Sequence, residues 1–177
     1  MSSIDNKKHV FIIGFMGSGK TSVAKKIALK TALSWVDLDM RITALKHKSI
    51  PEIFDDFGEV GFRNMETNAI KSLAIEPPSV VSCGGGIVLR RENIDLMKKD
   101  GIIIYLDVDF DESVSRISRL DTRPLLKDID KAKELYLARK PIYKDASDVT
   151  IKACNSNVYN VACRCISFLK KEGFLYV

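Results

Sequence analysis

Gly14-Phe15-Met16-Gly17-Ser18-Gly19-Lys20-Thr21 brings together the residue types that hold phosphate. Glycines let a backbone turn its N–H groups inward without Cβ clashes. Those N–H groups and the start of a following helix form a cradle for anions. A lysine here reaches the outer phosphates, and a following threonine hydroxyl is placed to bind Mg²⁺. The flanks supply the context such a loop needs. Residues 10–13 are a β-branched and aromatic run, and residues 22–33 have helical composition. Strand, glycine turn, Lys-Thr and helix, in that order, make a P-loop, so the stretch reads as a nucleotide-binding site. Its phosphate-side contacts are expected to be Gly17, Ser18, Gly19, Lys20, Thr21 and Ser22.

Other chemistry-bearing residues follow strands in the same way. Asp37-Leu38-Asp39 closes a short strand over 34–38. Two carboxylates two apart at a strand end can project to one side. Two readings stand for this pair: a helix cap, or one carboxylate near Mg²⁺ and one near an acceptor hydroxyl. Gly84-Gly85-Gly86 follows a buried strand over 79–83. It reads either as a flexible loop or as a place where a ligand approaches the backbone closely. Arg63 and Glu66, three apart on a helix, read as an exposed ion pair or as part of a site. Cys83 reads as a small buried hydrophobe and not as a nucleophile.

The elements that must position these groups alternate. Ser49-Ile50-Pro51-Glu52 is a capping box with proline in the first turn, starting a helix that should stop at Gly58. Further helices are expected over 59–74, over 90–99 with Gly101 as a C-cap, over 110–119, over 129–144 with an end or kink at Pro141, and over 158–171. Residues 102–108 are almost continuously apolar, as in a central parallel strand covered on both faces, and 149–152 is the last strand. Residues 120–130 are polar and read as a mobile flap carrying Arg123, which by local sequence is as consistent with solvation as with a role. Residues 1–8 read as a frayed tail. Strands alternating with helices give a parallel sheet wrapped on both sides, with ligands at the carboxyl ends of the strands.

Composition narrows the classes. At 177 residues the chain has the size of one domain, with 46% hydrophobic and 29% charged residues. The net charge of +5 is spread along the chain, so anionic small ligands account for it as well as nucleic acid does. The aromatics show no stacking-platform spacing. Four cysteines with two histidines and no Cys-x-x-Cys pair argue against zinc and for reduced thiols. Lys7 and Lys8 before an apolar run imitate an export signal faintly, but the run turns into the glycine loop and a Lys-rich helix. No stretch is long enough to cross a bilayer. The expectation is a cytoplasmic chain with no nucleic-acid or membrane partner.

With these residues in place, the chain resembles the shikimate kinase family. The resemblance rests on Gly-Phe-Met-Gly-Ser-Gly-Lys-Thr (14–21), Asp-Leu-Asp (37–39), Ser-Ile-Pro-Glu-Ile-Phe (49–54), Gly-Glu-x-x-Phe-Arg-x-x-Glu (58–66), Gly-Gly-Gly (84–86), Arg-Pro-Leu-Leu (123–126) and Arg-Lys-Pro-x-Tyr (139–143). It implies one α/β domain over 1–177 with a three-layer P-loop NTPase fold and a five-stranded parallel sheet of the nucleoside-monophosphate-kinase type. It also implies a substrate-binding subdomain over about 39–66 and a lid over about 120–130. The implied reaction moves the γ-phosphoryl of ATP to the 3-hydroxyl of shikimate, on the route to chorismate and the aromatic amino acids, in a monomer using Mg²⁺.

Carried over by position, the resemblance implies that Asp37 helps hold Mg²⁺ through water beside Thr21. Asp39 binds the accepting hydroxyls and can act as base. Arg63 and Arg139 clamp the shikimate carboxylate, Glu66 orients Arg63, and the backbone of Gly84, Gly85 and Gly86 packs on the ring. Arg116 lies on the adenine, and Arg123 meets the transferring phosphates when the lid closes. Two departures touch the base: Ile117 stands where threonine is expected, and 155–158 lacks basic and proline residues that some members place against adenine. The nearest rival is another small-molecule P-loop kinase, acting on gluconate or a nucleoside monophosphate. A GTP switch finds no support, since the sequence has no Asn-Lys-x-Asp stretch to read guanine.

Overall fold

A computed structural model describes residues 8–118 and 128–175. The tail over 1–7, most of the segment expected to be a lid, and Arg123 lie outside the described residues. In chain order the elements are β1 (His9–Ile13), α1 (Lys20–Thr31), β2 (Ser34–Asp37), α2 (Leu38–Lys46), α3 (Ile50–Leu73), β3 (Ser79–Ser82), a 3-10 turn (Ile87–Leu89), α4 (Arg91–Asp100), β4 (Gly101–Asp107), α5 (Phe110–Ser118), α6 (Ile129–Ala146), β5 (Val149–Lys152) and α7 (Val158–Lys171). The strands form one five-stranded sheet in the order β2-β3-β1-β4-β5, and every pairing is parallel.

The order explains the strand compositions. β1 lies in the middle and is buried along its whole length, whereas β5 at one edge alternates half-buried and exposed residues. Alternation along the inner strands divides the core into two layers. Phe11, Ile13, Val81, Ile103 and Tyr105 pack with α2 to α6, while Val10, Ile12, Val80, Ile102 and Ile104 pack with α1 and α7. Each fully buried isoleucine contributes roughly 1.5–3 kcal/mol over an exposed one. A one-residue slip would exchange the two faces. That fixes the register, and with it the height at which each strand releases its loop.

Some boundaries depart from the sequence reading. Asp37 ends β2, but Leu38 and Asp39 already belong to α2, so the two carboxylates do not project from one strand. Asp37 caps this helix, accepting a bond from Met40 N at 3.1 Å. The Ser49 capping box forms as expected, and the chain breaks at Gly58, where φ 66 and ψ 179 suit only glycine. Gly101 does follow α4, but in extended backbone, as the first residue of β4 and not as a left-handed cap. Pro141 does not end α6, which runs on to Ala146 because Tyr143 and Ala146 are buried beyond it.

Candidate active site

The glycine loop between β1 and α1 curls under φ angles of 148° at Gly14, 74° at Gly17 and 86° at Gly19. A Cβ at Gly17 would fall 2.3 Å from Ser113 O, so only glycine lets the loop pack on α5. Gly19 precedes the first turn of α1, which carries no acidic side chain, leaving its positive end open to anions. Lys20 folds back over the loop, Nζ donating to Gly14 O at 2.9 Å and Phe15 O at 2.8 Å. It therefore sits at the cradle's mouth. Ser18 is buried and its hydroxyl has no partner among the described residues.

Register delivers the oxygen cluster beside it. Asp37 on β2 pairs with Ser82 on β3, and both face the start of α1. Thr21 Oγ1 donates to Asp37 Oδ2 at 2.9 Å and lies 3.2 Å from Ser82 Oγ. Thr21 and Asp37 thus converge as expected, and Asp37 serves both as helix cap and as a member of the cluster. Ser82 carries no sequence motif and was missed; only strand register reveals it. The cluster is all oxygen. Among the described residues no group of three or more His, Cys, Asp or Glu could hold a metal. Such a donor set suits Mg²⁺, which takes one or two protein oxygens and completes its shell with water and phosphate.

A second set of side chains gathers around the glycines after β3. An added Cβ at Gly84 would lie 2.7 Å from Asp39 Oδ1 and 3.0 Å from Glu66 Oε1. At Gly86 it would lie 2.2 Å from Arg63 Nη1, and at Gly85 it would be 3.9 Å from Arg139 Nη1 and 3.7 Å from Gly14 O. The glycines therefore touch Asp39, Arg63, Glu66 and Arg139 on one side and the phosphate loop on the other. Gly17, Gly19, Lys20, Thr21, Ser22, Asp37, Asp39, Gly84 and Gly85 line one cleft.

Arg63 and Glu66 are not an exposed pair. Arg63 is 9% and Glu66 1% exposed, joined through Nη1 and Oε2 at 2.6 Å. Burial pushes the Glu66 carboxyl above its usual range, with Arg63 pulling the other way. Burial also opposes the Arg63 charge, but the bonds to Glu66 and Glu59 outweigh it and raise the guanidinium's pKa. Glu59, missed from sequence, accepts from Arg63 Nη2 at 3.2 Å. Tyr143 was also given no role; its hydroxyl, pushed up to about 12 by burial, donates to Gly85 O at 2.5 Å. Arg139 Nη1 donates to the same carbonyl at 3.3 Å, while its Nε has no partner among the described residues. Burial pushes the Cys83 thiol far up, which fits a packed hydrophobe.

Arg116 lies against the other end of the loop, Nη1 donating to Ser18 O at 3.4 Å. Ile117 beside it is buried against the glycine loop, where a Cβ at Gly17 would meet its Cγ1 at 2.9 Å.

A central parallel sheet with a P-loop at its carboxyl edge and a cleft lined by carboxylates and glycines beside it defines a P-loop small-molecule kinase. The family model described as shikimate kinase matches residues 16–170, and the chain belongs to the shikimate kinase family. It is 39% identical over 149 residues to the shikimate kinase of Neisseria meningitidis serogroup C, covering 82% of this chain and 88% of that one. It is 40% identical over 142 residues to that of Thermodesulfovibrio yellowstonii, covering 78% and 82%. Among solved structures, shikimate kinase from Acinetobacter baumannii in complex with shikimate superposes with a TM-score of 0.87 at 28% identity, covering 96% of this chain and 97% of that one. A gluconokinase from Sinorhizobium meliloti superposes at 0.59 with 13% identity, a likeness of fold alone.

Proposed function

We propose that this chain phosphorylates the 3-hydroxyl of shikimate with ATP, releasing shikimate 3-phosphate and ADP. The observation that carries the reading is the glycine segment after β3, flanked at once by the phosphate loop and by the guanidinium groups of Arg63 and Arg139. A phosphoryl donor and a carboxylate-bearing alcohol meet across it.

In this reading the loop N–H groups and Lys20 hold the triphosphate, and Arg63 and Arg139 grip the acceptor's carboxylate. A planar guanidinium matches a carboxylate at two points, which a lysine cannot do. Asp39 holds the accepting hydroxyl and takes its proton as the oxygen attacks. Mg²⁺, when bound, neutralises charge on the phosphates, with Thr21 and Asp37 (through water) as its protein-side holders. Phosphoryl transfer is mainly positioning and charge neutralisation, so no covalent nucleophile is needed. Arg123, in the segment proposed as a lid, adds a charge to the transferring group, and lid closure excludes water. Residues 39–66 act as the acceptor-binding part of a single domain. We place the enzyme in the cytoplasm as a monomer; among the described residues no helix is long and apolar enough to cross a membrane.

A coupled ADP-release assay over a panel of hydroxy-acid and sugar-acid acceptors tests the reading. Shikimate is expected to give the highest kcat/KM. Preference for gluconate with no turnover of shikimate would refute it.

A further inference from the structure

The phosphates and the acceptor are provided for by the loop and the clamp, whereas the nucleotide base has only Arg116 assigned to it. How that arginine is held is visible. Nη2 donates to Glu112 Oε1 at 2.5 Å and to Ala153 O at 3.1 Å, and Nη1 donates to Ser18 O at 3.4 Å. A guanidinium has five N–H donors, all in its plane. With much of that edge engaged, what remains to offer is a flat face, and a flat aromatic ring is the ligand chemistry that suits it.

Glu112 does more than neutralise Arg116. Its two carboxylate oxygens also accept from the backbone N–H of Asn155, at 3.2 and 3.0 Å. Asn155 sits in the turn between β5 and α7 with a left-handed φ of 49°. One carboxylate therefore ties α5 to the β5–α7 turn, elements 43 residues apart in sequence. The pair is partly open to solvent, with side chains 30% and 24% exposed, where ion pairs add little to folding stability. Its evident consequence is orientation: an arginine already fixed loses less side-chain freedom when a ring docks on it.

We propose that Glu112 is a positioning residue for nucleotide binding, fixing Arg116 and the Asn155 turn as adjoining walls of a slot for the purine base. The proposal rests on the reading of Arg116 as the base's platform. It also accounts for a slot without basic or proline residues over 155–158, since a side chain from α5 organises that turn.

Calorimetric titrations of the full chain test this with ADP, with inorganic tripolyphosphate, which fills the loop but has no base, and with shikimate. Glu112→Gln keeps the shape but loses the charge and sets an amide against the Asn155 N–H or Arg116. It is expected to weaken ADP about tenfold, the effect of one charge-assisted hydrogen bond. Tripolyphosphate affinity, shikimate affinity and Tm should stay as in the wild type. Arg116→Ala should weaken ADP at least as much, and the double variant should lose less than the sum of the two single losses. Unchanged ADP affinity in Glu112→Gln overturns the proposal, as do additive losses in the double variant or a parallel fall in tripolyphosphate affinity and Tm. If Arg116→Ala binds ADP normally, the platform reading and this proposal fail together, while shikimate turnover by the wild type stands independently.

Discussion

The two halves of the cleft are built from different materials. The half we propose for phosphate is one contiguous stretch, 14–21, which offers mainly backbone N–H groups and one helix end. The half we propose for the acceptor is made of side chains brought from α2 (Asp39), α3 (Arg63, Glu66) and α6 (Arg139), closing on glycines that follow β3. A backbone cradle needs only local sequence and tolerates the open, partly exposed setting of Lys20 and Thr21. A side-chain clamp needs the whole fold, and its buried charges need one another. Damage to the cradle should therefore show in turnover with every acceptor, and damage to the proposed clamp in acceptor affinity with nucleotide affinity spared.

The largest effect is expected from Lys20→Ala. Removing a cation aimed at the developing phosphate charge should lower kcat by roughly 10²–10³-fold with Tm nearly unchanged. A variant retaining more than half of kcat would show that the loop's N–H groups suffice. Gly86→Ala comes next. The new methyl would sit 2.2–2.5 Å from the Arg63 guanidinium, which Glu66 and Glu59 hold in place, so the arginine must move. Shikimate KM should rise about tenfold or more, since a misplaced bidentate contact loses on the order of 1.4 kcal/mol or more. ADP affinity should hold. Equal losses for both ligands would mean that the two halves are not separable.

Glu66→Gln should be milder and should appear in stability as well. It leaves Arg63 buried beside a neutral group, at a cost of about 1–3 kcal/mol, readable as a lower urea midpoint. An unchanged midpoint would remove Glu66 as the clamp's support. The smallest effect lies at the opposite, amino edge of the sheet. His9 is buried, its ring bonded to Ser79 Oγ at 2.9 Å and Leu73 O at 3.0 Å, and burial lowers its pKa below the ordinary 6.5. The fold holds the neutral ring, so on acidification the unfolded chain takes up the proton first. The stability this contributes is complete above about pH 6.5 and is lost as pH falls through the lowered value. His9→Gln should flatten that slope in urea midpoints between pH 7 and 5 without altering shikimate affinity.

The same contrast explains which features the sequence alone makes legible. The P-loop, the Ser49 capping box and the break at Gly58 are local patterns, and each formed where expected. The sheet followed from alternating apolar runs. What stayed hidden depends on convergence. Ser82 stands beside Asp37, and so joins it at Thr21, through the β2–β3 register, and Glu112 meets Asn155 only because β5 lies beside β4. α2 was overlooked because Leu38 and Ile42 are its only buried residues, too few to show a helical stripe. Arg63 and Glu66 showed correct spacing but nothing of their burial, which is what separates them from a surface pair.

The most direct test of a separate cradle and clamp at one rim is titration of Arg63→Ala with shikimate and with ADP, side by side with the wild type. The expected result is shikimate affinity reduced by about two orders of magnitude, as for a lost bidentate charge pair, with ADP affinity within twofold. Shikimate binding equal to wild type would contradict the account at its centre.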